Sequence, residues 1–147
     1  MIANNIKVVL ATTFTFYLKA HKFHWNVMGP SFAEYHTYLG DLWEETFGAV
    51  DTIAEVIRTQ GEFAPGSYAE FEDLSPVKSS ESEVSNPAQM IKELASDNKV
   101  LLNVLAEAYR VSEEEGTFDI SDMLAARMAA HRKHDWMLNS FLNRQAI

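Results

Sequence analysis

Four long helical patterns joined by unequal connections constrain this chain more than any other feature. Ile6, Val9, Leu10, Thr13, Phe16, Tyr17, Ala20, Phe23, His24 and Val27 recur at three- and four-residue steps, the spacing of one helix face. They predict a first helix over 4–28, ended by Gly29-Pro30. Ser31-Phe32-Ala33-Glu34 reads as a capping box. A second helix is expected over 32–60, with Phe32, Tyr35, Leu39, Leu42, Thr46, Val50, Ile53 and Ile57 inward and Gly61 as its stop. Asn86 as cap and Pro87 at the first helical position open a third helix. Its stripe is Met90, Ile91, Leu94, Asn98, Leu101, Leu102, Leu105 and Tyr109, and Gly116 ends it. The fourth is expected over 120–144, around Ile120, Leu124, Met128, His131, Leu138 and Leu142.

Helices one and two are separated by about three residues and helices three and four by little more, so each pair is antiparallel. The middle connection, 61–86, is polar and aperiodic apart from a short helix expected over 68–73, behind a second capping box at Ser67-Tyr68-Ala69-Glu70. Its ~26 residues are enough to cross a bundle whose helices are roughly 36–43 Å long. The expected architecture is therefore all-α: a ferritin-like four-helix bundle with one long crossover containing a short helix. The 147 residues fit a single domain, 1–147.

The chain has no cysteine, which removes disulfides, zinc-thiolate sites and iron–sulfur clusters. It has no run of roughly 18 apolar residues and no secretory leader pattern; no membrane contact and a cytoplasmic setting are expected. A net charge of −9 repels nucleic acid at long range and attracts cations.

The residues three before His21, His24, His36, His131 and His134 are Leu18, His21, Ala33, Met128 and His131. None is glutamate, so the Glu-x-x-His pairs of an intra-bundle di-iron site are missing. Asp51 and Glu55 instead share one face of helix two, four residues apart. His36 lies within roughly 60° of that face but ~22 Å away along the axis. One ion cannot touch both ends of that span. A two-fold pair of second helices would bring His36 of one chain beside Asp51 and Glu55 of another and build two identical sites. His24, next to the tight turn, joins His36 from its own chain. Gly40 and Gly48, each costing about 1 kcal/mol in a helix interior, fit the close approach of another helix. Two imidazoles and two carboxylates suit iron, zinc, manganese or cobalt. His21 is a further candidate ligand, whereas His131, on the apolar stripe beside His134, reads as core.

His24-Trp25-Asn26-Val27, Gly29, Phe32 and His36, followed by Asp51-Thr52-Ile53-Ala54-Glu55, resembles the signature of the Dps-like mini-ferritins. His134-Asp135-Trp136-Met137-Leu138 with Phe141-Leu142 is similar to that family's last helix. The resemblance covers the whole chain. It implies a homo-oligomeric shell, a dodecamer with ferroxidase sites at two-fold interfaces. There, ferrous iron would bind His24, His36, Asp51 and Glu55, with Trp25 beside it. Peroxide would be the preferred oxidant and ferric oxide would be stored inside, protecting against oxidative damage. It also suggests Asp119, Asp122 and Glu115 as lining of an acidic entry pore, where Asp119 equally suits a helix cap. Many members carry an aspartate where this chain has Gly40, so one or two irons per site stay open. The alternative is a DNA-binding, nucleoid-compacting protein with a vestigial metal site. DNA binding is not expected, because helix one starts near residue 4, only Gln145, Ala146 and Ile147 follow Arg144, and neither end carries a basic tail.

Overall fold

The computed structural model describes residues 1–80 and 86–146; 81–85, the last part of the expected crossover, and Ile147 lie outside the described residues. Among the described residues six helices occur: α1 (Ile2–Asn26), α2 (Phe32–Gly48), α3 (Val50–Thr59), α4 (Tyr68–Leu74), α5 (Pro87–Glu115) and α6 (Phe118–Phe141). The described residues contain no strand. With α2 and α3 as one broken rod, α1, α2/α3, α5 and α6 form the four-helix bundle, and α4 packs on α1. None of the helices is long and apolar enough to cross a membrane.

The stripes read from the sequence form the core. Ile6, Val9, Leu10, Phe16 and Phe23 from α1 meet Leu39, Leu42, Ile53 and Ile57 from α2/α3, and Met90, Ile91, Leu94 and Leu101 from α5. Each fully buried large side chain contributes about 1.5–3 kcal/mol. Phe32, expected inside, is 45% exposed.

Helix ends follow side-chain chemistry. Ser67 and Glu70 form the complete capping box at α4. The Asn86 side chain accepts from Gln89 N–H, with Pro87 in the first turn of α5. Gly61 and Gly116 take the positive φ that suits a helix stop. Three expectations change. Ser31 makes no cap bond, because its own backbone is left-handed (φ 64°) and its side chain cannot face the helix start. The second helix breaks at Ala49, whose N–H donates to the Thr46 carbonyl at 3.2 Å. Helix α6 starts at Phe118 behind Thr117, so Asp119 lies in the first turn rather than at the cap.

A polar cluster ties the bundle together. Arg127 on α6 forks onto Glu45 on α2, and His134 donates to the same carboxylate at 2.7 Å. Arg127 also reaches Nε2 of His131 at 3.1 Å. That nitrogen therefore accepts, and Nδ1–H of His131 donates to Asn98 Oδ1 on α5 at 2.8 Å. Burial, then the charges of Arg127 and His134, push the His131 pKa well down and keep it neutral. Burial alone would raise Glu45, but the bonds from His134 and Arg127 outweigh it and hold the carboxyl well below its ordinary range. His131 is thus core, as its place on the stripe suggested.

Candidate metal centre

His24 stands in the last turn of α1 and His36 in the second turn of α2. The tight turn through Gly29, with φ 113°, folds one helix end back over the other. His24 Nδ1–H donates to the His36 carbonyl at 2.7 Å, and His36 Nδ1–H donates to the His24 carbonyl at 2.8 Å. The rings stack 3.8 Å apart, 16° from parallel. A ring whose Nδ1 carries the proton has its lone pair on Nε2. Both imidazoles are therefore fixed in the tautomer that ligates a metal through Nε2, with the backbone bond that orients a ligating histidine already made.

Gly40 accounts for the close stack. A Cβ there would lie 3.1 Å from Cε1 and 3.3 Å from Nδ1 of His24. The His24 ring rests on the α2 backbone. The close neighbour expected at Gly40 is thus a ring of the same chain, while an added Cβ at Gly48 meets nothing within 4 Å.

His21 belongs to another arrangement. Its ring lies 3.8 Å from Trp43, nearly parallel, and 4.0 Å from Trp25, and Nδ1 is 3.0 Å from the Tyr17 hydroxyl. Burial, then the charge of His24, lowers its pKa against an opposing pull from Glu44. Trp25, 59% exposed, leans on His21 at a 36° tilt. This His–Trp–Tyr cluster escaped the sequence reading, although the i, i+4 spacing of Tyr17, His21 and Trp25 carries it.

Asp51 and Glu55 are exposed on α3. Asp51, by accepting a hydrogen bond from protonated Glu55 and then by its charge, raises the Glu55 pKa. Arg58, the obvious salt-bridge partner, instead bonds the Glu62 carbonyl and covers the Phe63 ring. The chain thus brings His24 to His36 and Asp51 to Glu55, but not one pair to the other: among the described residues no three His, Asp or Glu side chains converge on a metal position. Asp119 and Asp122 are exposed at the start of α6. Glu115 accepts from the Ile2 N–H at 3.1 Å and so caps α1.

The ferritin-like domain family matches residues 3–146. The chain is 34% identical, over 86% of its length and 84% of the relative's, to a DNA protection during starvation protein of Brevibacillus brevis. Dps of Staphylococcus aureus superposes with TM-score 0.91 at 29% identity, covering 96% of this chain and 94% of that one. Dps of Vibrio cholerae gives 0.92 at 23% identity over 96% and 88%, a likeness of fold alone. The chain belongs to the ferritin-like family and is a Dps-like mini-ferritin.

Proposed function

We propose that this protein is a ferroxidase and iron-storage mini-ferritin of the cytoplasm, working as a homo-oligomeric shell of twelve. Ferrous iron is its substrate. His24 and His36 of one subunit and Asp51 and Glu55 of a two-fold-related subunit hold the ion. Two ferrous ions deliver the two electrons that split the O–O bond of one peroxide into two hydroxides, and the ferric product collects in the cavity. Family membership carries the general reading, iron oxidation and storage; the V. cholerae relative is described as one of the ferritin-like diiron-carboxylate proteins. The observation that carries the site is the reciprocal His24–His36 pairing, which leaves two Nε2 atoms free for metal. Imidazole and carboxylate donors suit iron in both oxidation states. Mixing anaerobic ferrous protein with peroxide and following ferric absorbance tests the reading. A His24→Ala/His36→Ala variant is expected to be slower by about a hundredfold or more; an unchanged rate refutes the assignment.

The DNA-protection name belongs to the B. brevis relative. With a charge of −9 per chain, counterion release offers this protein little affinity for DNA. Plasmid is expected to run unretarded with the protein at physiological salt, and a clear gel shift would revive the nucleoid-compacting alternative.

A further inference from the structure

We infer that Phe32 is a positioning residue of the proposed iron site: its ring covers one face of His36 and, with His24 on the other, holds the imidazole in the plane from which Nε2 meets the metal. The inference rests on the inter-subunit reading above, whose ligands do not include Phe32. Its starting point is an exposed aromatic ring. Phe32 is 45% exposed at the first position of α2, where the apolar stripe predicts burial. It stands four residues before His36, so the two side chains share a helix face, and side chains on a helix lean back toward its N-terminus. The two rings stack 5.0 Å apart, 23° from parallel. His24 stacks on the same imidazole at 3.8 Å and 16°. Two rings stacked on one imidazole take its opposite faces. The order is therefore Phe32, His36, His24, and the column ends on the α2 backbone at Gly40.

Each neighbour of His36 removes a different freedom. The Nδ1–H bond to the His24 carbonyl fixes one atom of the ring. It leaves the plane of the ring free to swing about that bond, and a ring on each face closes the motion. The Phe32 ring also suits the charge that binding creates. A metal on Nε2 draws electrons from the imidazole and leaves it partly positive, and a positive group within about 6 Å of an aromatic centroid is attracted to the ring's negative face. Phe32, at 5.0 Å, meets that distance; an aliphatic side chain of similar size offers no such face. Partners that orient a ligating histidine are worth about 10- to 100-fold in metal affinity. The lower end suits a contact that is tilted and half exposed.

Anaerobic titration of the assembled protein with Co(II), followed by its visible d–d bands, tests the role. Phe32→Leu is expected to assemble and melt as wild type does, because the ring it replaces is half exposed, yet to bind cobalt about tenfold more weakly and with shifted bands. Phe32→Tyr, which keeps the ring, is expected to match wild type in affinity and spectrum. Wild-type affinity and bands in Phe32→Leu would overturn the role of Phe32 and leave the shared site standing, as would a loss in Phe32→Tyr equal to that in Phe32→Leu. A Leu variant that fails to assemble would place Phe32 in the contact between chains and overturn the positioning role. Cobalt binding indifferent to His36→Gln would overturn the shared site itself, and this inference with it.

Discussion

Two inactive variants are expected to restore each other. His24→Ala/His36→Ala lacks the imidazole half of the site, and Asp51→Asn/Glu55→Gln lacks the acid half. Each alone should oxidise ferrous iron about a hundredfold more slowly than wild type, or worse. When the two are unfolded together and reassembled, half of the two-fold pairs are mixed. In a mixed pair, one of the two sites receives its histidines from one parent and its acids from the other and is complete; the second has neither. Recovery of about a quarter of wild-type activity follows from that symmetry. A site confined to one chain gives no recovery, so a mixture as slow as its parents would exclude the shared arrangement. The acid variant suits the test because Asp51 and Glu55 are exposed and Asp51 already disfavours the charge of Glu55. Their amides are not expected to unfold the chain.

The largest loss of stability outside the apolar core is expected from Arg127→Met. The guanidinium holds Glu45 in a fork and also contacts His131, joining α2 to α6. Removing it leaves the carboxylate with the His134 bond alone. Breaking a fully buried pair costs about 3–5 kcal/mol. Glu45 is 38% exposed, so about 2–3 kcal/mol is a fairer expectation here. That corresponds to a melting point lower by about 5–10 °C, measured at fixed protein concentration. The same cluster sets an acid limit. The His131 pKa is pushed below its usual 6.5 in the folded chain, so the unfolded chain binds the extra proton and stability falls as pH drops below that value. Glu45 is held below its usual 4.5, so its contribution is complete above that pH and is lost as pH falls further. Calorimetry of wild type and Glu45→Gln across this range should show the two curves converging below about pH 4. A constant gap would remove Glu45 from the account.

Much of the fold was legible because burial repeats along the chain. Phe16, Phe23, Leu39, Leu42, Leu94 and Leu101 fall where the helical period puts them, and the Ser67 and Asn86 caps are local chemistry. The break at Ala49 was not, since Gly48-Ala49 carries no proline and the apolar stripe runs through it. Ser31 satisfied a capping pattern that its left-handed backbone defeats. Glu45 and Arg127 stand 82 positions apart, and no periodicity announces such a pairing. At the candidate site, the residue types and the separation of its halves were readable. The cross-bonding of His24 with His36 was not, because it depends on how the Gly29 turn lays one helix end over the other. Gly40 was noticed for its cost, but its neighbour is a ring of the same subunit.

The two imidazole-to-carbonyl bonds also act as a double rivet through the α1–α2 hairpin. Each rivet is driven from one residue into the other's main chain, so losing either histidine leaves the hairpin held by a single pin. The proposed metal site and the shape of this corner therefore rest on the same two side chains, and replacing either one disturbs both at once.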